Sequence, residues 1–91
     1  MTASQPAAGG PVGAVVQLPE LPRGRVGVIL GVDGDDALVQ QLEASGLWCG
    51  VAIERLATAP FGDPLLFRVH GYRLALRQSE AARVRVRETG A

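Results

Sequence analysis

Apolar and polar residues alternate along the second half of the chain, which is typical of a strand with one buried face. The alternation covers Leu65–Val69 and resumes from Tyr72 to Arg77. His70-Gly71 stands between the two runs as a turn, so the pattern predicts a β-hairpin. Directly before it, Pro60 to Pro64 encloses a Gly-Asp pair. Proline fixes φ and glycine allows positive φ, so this segment is predicted to form a tight loop.

The same periodicities place the other elements of a small, mostly-β fold. They predict strands over 25–32, 51–57 and 83–87, a short amphipathic helix over 37–45, and one helical turn over 79–82. Asp35 or Asp36 can cap the helix, Gly46 is its expected left-handed C-terminal residue, and Ser79 can cap the helical turn. The total is about five short strands closing into a barrel, with one helix after the first strand and a helical turn before the last.

The domain boundaries follow from composition. Residues 1–17 are rich in Ala, Gly, Pro and Ser and carry no charge, which predicts a disordered N-terminal tail. The barrel domain is predicted to span 18–87, with Leu18 and Leu21 tucked onto it, and residues 88–91 to form a disordered C-terminus.

Composition excludes several classes of function. The chain has one cysteine, Cys49, and one histidine, His70, which is too few for an intrachain disulfide, a four-cysteine zinc site or a credible catalytic triad. There is no lysine for a phosphate-binding loop and no apolar run long enough for a membrane helix. We therefore expect a cytoplasmic protein that is not an enzyme, has no resident cofactor and does not insert into a membrane.

Charge is distributed unevenly along the chain. Residues 1–64 contain three arginines and seven acidic residues, a net charge of −4, whereas residues 65–91 contain six arginines and two glutamates, a net charge of +4. Strand alternation would place Arg83, Arg85 and Arg87 on one face. Such a face is solvated in the simplest interpretation, and otherwise suits an acidic protein patch or a phosphate backbone.

The candidate binding residues lie in three places. The lone tryptophan follows the predicted helix, and an exposed tryptophan beside a turn is often the anchor for a partner. Trp48 can equally lie over the end of the barrel. The predicted contact residues are Leu47, Trp48, Cys49, Phe61, Arg68 and Arg73. His70 and Cys49 are the candidates for binding a transition metal ion, which would be shared between two chains.

Several motifs, in order, resemble the FeoA family of bacterial ferrous iron uptake. Leu18–Gly24 matches Leu-x-x-Leu-x-x-Gly, and a Gly-x-Ile strand follows at Gly27–Ile29. Further along the chain are a helix end over Leu42–Gly50, an intact Ala-Pro-x-Gly-Asp-Pro over Ala59–Pro64, a Gly-x-x-x-Ala-Leu-Arg hairpin over Gly71–Arg77, and Glu80-Ala81. The chain departs from the pattern at Ser45 and Cys49, where the family often has Leu and Pro.

The resemblance implies an SH3-like β-barrel and a non-enzymatic role as a protein-interaction module. Its implied partner is FeoB, a ferrous iron permease with a cytoplasmic GTP-binding domain, and the contact is with that domain or with the membrane part. Its implied location is the inner face of the membrane where that partner lies. Two alternatives stay open: a barrel that binds nucleic acid through the arginine face, and a metal-bridged regulatory oligomer. A homo-oligomer is compatible with each, because small barrels have open strand edges.

Overall fold

A computed structural model describes residues 13–90 of the chain. Within that range the chain forms six strands, two α-helices and two short 3-10 turns. The strands are β1 (Val15–Gln17), β2 (Val26–Val32), β3 (Ala52–Thr58), β4 (Leu65–Val69), β5 (Tyr72–Leu76) and β6 (Val84–Glu88). The helices are α1 (Ala37–Ala44) and α2 (Gln78–Ala81), and the 3-10 turns are Leu18–Glu20 and Pro60–Gly62.

The six strands form one antiparallel sheet in the order β1-β6-β2-β3-β4-β5. The predicted hairpin is confirmed, with Val69 opposite Tyr72 across the His70-Gly71 turn. The expected closed barrel is wrong, because β1 and β5 remain the two edges of an open sheet. Register shifts in β2 and β3 interrupt the hydrogen-bond ladders. Closure could not be predicted from the sequence, because residue periodicity shows which face of a strand is buried and not whether the two edges of the sheet meet.

The two paired strands β1 and β6 correct both predicted domain boundaries. Val15–Gln17 falls within the tail that composition predicts to be disordered, but it pairs with β6, placing Val15 opposite Arg87. At the other end, Glu88 falls within the predicted disordered C-terminus, yet it is the last residue of β6 and its carboxylate is buried 3.2 Å from Arg25. β1 has only three residues, which is too short to show the alternation of apolar and polar residues that identifies a strand in the sequence. The rest of the predicted tail, 1–12, lies outside the described residues.

The core lies between the inner face of the sheet, α1 and the segment that precedes β2. Leu18 and Leu21 are fully buried, as predicted. Arg55 holds this segment in place, because its guanidinium donates hydrogen bonds to the carbonyls of Pro19 and Leu21 at 3.2 and 3.0 Å. The same guanidinium lies 5.9 Å from the ring centroid of Phe67, which is among the largest fully buried side chains.

The helix ends agree only in part with prediction. α1 begins after Asp36, whose side chain makes no capping hydrogen bond because it binds Arg83 instead. α2 begins one residue earlier than predicted. Its capping interaction comes from Glu80, whose carboxylate accepts a hydrogen bond from the backbone N–H of Arg77 at 2.9 Å, so the prediction that Ser79 caps this turn is wrong.

Candidate functional site

Three aromatic rings are gathered at the C-terminal end of α1, and we refer to Trp48, His70 and Tyr72 as the aromatic cluster. The ring centroids of Trp48 and His70 are 5.3 Å apart with the planes tilted by 59°. His70 and Tyr72 are stacked, with centroids 6.3 Å apart. The two-residue turn between β4 and β5 brings His70 and Tyr72 together, and the loop after α1 supplies Trp48.

Hydrogen bonds to α1 and the residues just after it hold each ring in place. Trp48 Nε1 donates to the carbonyl of Glu43 at 2.7 Å, His70 Nε2 contacts the carbonyl of Gly46 at 2.8 Å, and the Tyr72 hydroxyl donates to the carbonyl of Ser45. Because a carbonyl oxygen only accepts, the contact with Gly46 requires the His70 proton on Nε2. The carbonyls of Glu43 and Gly46 also accept a backbone N–H, so the rings add a second hydrogen bond to these groups at the end of α1.

The aromatic cluster is fixed in position and still exposed. Trp48 keeps 54% of its surface exposed and Tyr72 keeps 43%. Ordering mobile side chains on association costs free energy, so exposed rings that are already held in place bind at a lower cost. Exposed and immobile aromatic side chains are the usual anchors of protein interfaces.

The end of α1 is closed by Gly46, as the sequence predicts. Its φ is +94°, its N–H bonds to the carbonyl of Glu43 at 3.0 Å, and Leu47 N bonds to the carbonyl of Leu42 at 3.3 Å. A Cβ placed on Gly46 would lie 2.7 Å from His70 Cδ2. Glycine is therefore required both for the left-handed backbone and for the close approach of the His70 ring.

Substituting Gly46 tests whether the cluster depends on this close approach. Gly50 also has a positive φ, +92°, but a Cβ placed there would have no neighbour within 4 Å. Either alanine substitution should cost about 1–2 kcal/mol for the left-handed backbone. Gly46→Ala should cost more than Gly50→Ala and should also shift the NMR signals of the His70 and Trp48 rings. Equal losses of stability with unchanged ring signals would show that the rings do not depend on Gly46.

The predicted contact residues do not form one surface. Leu47 is only 1% exposed, so its side chain is unavailable to a partner and its prediction as a contact residue is wrong; it packs in the core, as the apolar residue after a helix C-terminus commonly does. Cys49 is exposed beside Trp48. Arg68 and Arg73 are paired across β4 and β5 on the outer face of the sheet, since the inward-facing neighbours of Arg68 are buried.

Phe61 lies at the other end of β4 from the aromatic cluster and is fully exposed. Its φ of +72° is strained for a residue with a side chain. Gln78 holds the loop, donating from its side chain to the carbonyl of Gly62 at 2.8 Å and from its backbone to the Asp63 carboxylate at 2.9 Å. Phe61 therefore offers a second, separate apolar contact on a fixed loop.

The predicted arginine face is largely occupied by acidic partners. Arg83 forms a bidentate pair with Asp36 at 2.9 and 3.0 Å, and Arg85 contacts Asp33 at 2.8 Å. These aspartates therefore serve as counter-charges to the arginines. Phe67, one of the two aromatic residues near the arginines in sequence that could stack on a base, is buried in the core. Both observations weaken the nucleic-acid alternative.

The Asp36–Arg83 pair gives the fold a specific acid sensitivity. The Arg83 hydrogen bond is the main cause that lowers the pKa of Asp36 below its ordinary value of 3.8. Ionised Asp36 therefore stabilises the fold fully at pH values above its ordinary pKa, and this stabilisation is lost as the pH falls through the lowered pKa of the folded state. Asp36→Asn should lower the melting temperature at neutral pH, with a difference from wild type that shrinks in acid. Asp35→Asn is the control, at an exposed neighbour without a salt bridge to any described residue, and should leave the melting temperature at neutral pH close to that of wild type.

The fold brings no further metal ligand to His70 and Cys49, the residues predicted to bind a metal ion. Among residues 13–90 no group of three or more His, Cys, Asp or Glu side chains is placed to hold an ion. His70 also has its Nε2 committed to the carbonyl of Gly46. A metal bound here would need ligands from a second molecule, so a bridging ion stays a prediction.

Sequence reasoning identifies Trp48 but misses its partners. The sequence presents His70 as a turn residue and a candidate metal ligand, and Tyr72 as the first residue of an alternating strand. The one available signal is their placement on either side of a two-residue turn, but nothing in the sequence shows that this turn meets the end of α1.

Comparison with known proteins gives a consistent family. The family model for the FeoA domain matches residues 16–88. A crystal structure described as the iron uptake regulatory protein FeoA is 35% identical, with a TM-score of 0.74 over 82% of this chain and 99% of that one. FeoA of Stenotrophomonas maltophilia, solved with zinc and described as an SH3 domain protein, is 37% identical, with a TM-score of 0.69 over 78% of this chain and 88% of that one.

A more distant likeness concerns the fold alone. A manganese-dependent transcriptional repressor is 16% identical, with a TM-score of 0.74 over 87% of this chain and 44% of the repressor. A comparison with curated protein sequences found no match. Within residues 13–90, no helix is long and apolar enough to cross a bilayer.

Proposed function

This chain belongs to the FeoA family, whose members are described as proteins of ferrous iron transport, and we propose that it binds the cytoplasmic part of a FeoB-like permease. In this role it would be a non-enzymatic accessory protein that modulates Fe(II) transport at the inner face of the membrane. The observation that carries the proposal is the aromatic cluster, which is exposed but fixed by hydrogen bonds.

The chemistry of the cluster supports binding rather than catalysis. The one imidazole of the chain, His70, has Nε2 occupied by a backbone carbonyl. The one thiol, Cys49, is exposed beside Trp48. A ring surface of this kind, with His70 between Trp48 and Tyr72, suits a partner that buries it under its own apolar side chains.

Titration calorimetry with the soluble GTP-binding domain of the permease from the same organism tests the proposal. The purified chain should bind this domain at low and at moderate salt, and a comparison with and without guanine nucleotide shows which state it prefers. A single-stranded RNA serves as the control ligand. Binding to RNA alone, with an affinity that falls steeply as salt is added, would contradict the proposal and favour a nucleic-acid function.

A further inference from the structure

The edge strand β5 is open to a further strand. Its only sheet neighbour among the described residues is β4. Val69 and Tyr72 flank the two-residue turn and form the hydrogen-bonded pair that such hairpins have next to the turn. The backbone groups of Tyr72, Leu74 and Leu76 therefore point toward β4, and those of Arg73 and Ala75 point toward the open edge.

A groove runs along the inner side of this edge, between β5 and α1. Its volume is about 330 Å³, and its apolar walls come from Leu38 and Leu42 on the helix and Leu74 and Leu76 on the strand. Gln41 and Glu80 add polar side chains to its lining. Side chains of a strand added to β5 would alternate between this groove and the outer face.

The outer face at this edge is basic. Arg73 is exposed and lies beside Arg68 across the hairpin, and Arg77 is exposed just beyond the end of β5. Neither Arg73 nor Arg77 forms a salt bridge with any described residue, whereas Arg68 contacts Glu54 at 3.6 Å. Pairing of β5 with a second copy of itself would bring like charges together, which opposes self-association at this edge.

We propose that β5 is the docking edge for an extended acidic segment of the partner, in which apolar side chains alternate with carboxylates. The segment hydrogen-bonds to the backbone of Arg73 and Ala75, its apolar side chains enter the groove against α1, and its carboxylates face Arg73. That this segment comes from the permease rests on the proposed function.

Amide hydrogen exchange of the full chain, followed by NMR, tests the docking edge directly. Three ligands are compared: the soluble GTP-binding domain of the permease, a short peptide that alternates valine and glutamate, and the same peptide with lysine in place of glutamate. The amides of Arg73 and Ala75 should exchange at least about tenfold more slowly with the permease domain and with the acidic peptide. The lysine peptide should leave them unchanged.

The outcomes separate this inference from the proposed function. Permease binding without protection of Arg73 and Ala75 would overturn the docking edge and leave the function standing. Protection by the acidic peptide, with no binding of the permease domain, would support the edge and contradict the function. Protection by neither ligand, or equal protection by the lysine peptide, would overturn the docking edge.

A substitution at Ala75 provides an independent test. Ala75→Pro removes an N–H on the open side and is compatible with an edge strand, so it should weaken binding of the acidic peptide at least about tenfold. Ala75→Thr keeps the N–H and should bind as wild type does. Should the proline variant fail to fold, the exchange pattern of the wild-type chain decides. Equal binding by a folded proline variant would overturn the docking edge.

Discussion

Replacing Phe67 with alanine is expected to lower the free energy of unfolding by about 3–5 kcal/mol, the usual cost of truncating a buried phenylalanine. Phe67 is fully buried in the inner face of β4, and the guanidinium of Arg55 lies over its ring. Small domains are only marginally stable, so a loss of this size is a large fraction of the total free energy of unfolding.

Urea denaturation of the wild type and the variant measures this loss. Leu66→Ala is the matched control, because Leu66 is the preceding residue on β4, points to the opposite face and is only partly buried. The control should lose clearly less stability than Phe67→Ala. Similar losses for the two variants would contradict the assignment of the sheet's inner face to the core.

Replacing Trp48 with alanine is expected to weaken binding to the permease domain by about 2 kcal/mol or more, which is roughly 30-fold in affinity. The variant removes the ring that lies against His70 and is half exposed. The fold should survive, because Trp48 is outside the buried core and its hydrogen bond to Glu43 is at the surface.

Calorimetry with the permease domain measures the change, and Val15→Ala is the control. Val15 is also an exposed apolar residue, at 51%, but it lies on β1 at the opposite edge of the sheet. Phe61→Ala then asks whether the second exposed ring contributes separately. Unchanged affinity of a folded Trp48→Ala protein would show that the aromatic cluster is not the contact surface.

The parts of the fold that sequence can predict are those set by short-range rules. The alternation over Leu65–Val69 and Tyr72–Leu76 identifies the hairpin, and Gly46 identifies the end of α1, because period and backbone freedom act within a few residues. β1 and the open sheet edges could not be predicted, since they depend on which distant strands pair. The helix cap expected from Ser79 fails for a different reason, because α2 begins at Gln78 and Ser79 therefore lies inside the helix rather than before it.

The candidate site is predictable only at its most conspicuous residue. A lone tryptophan after a helix end points to Trp48, but the burial of Leu47 and the association of Trp48 with His70 depend on how the hairpin packs against α1. The arginine-rich last strand suggests an unpaired basic face, and the sequence cannot correct this because the pairing also depends on packing between distant segments. Its counter-charges, Asp33 and Asp36, are about 50 residues earlier in the chain.

The central claim, that the aromatic cluster is the surface that meets the permease, can be tested with a fluorine label on Trp48. Trp48 is the only tryptophan, so incorporation of 5-fluorotryptophan gives a single fluorine NMR signal from the cluster. Addition of the soluble permease domain should shift and broaden that signal at concentrations where calorimetry detects the complex. A complex that forms while the fluorine signal stays unchanged would contradict the claim.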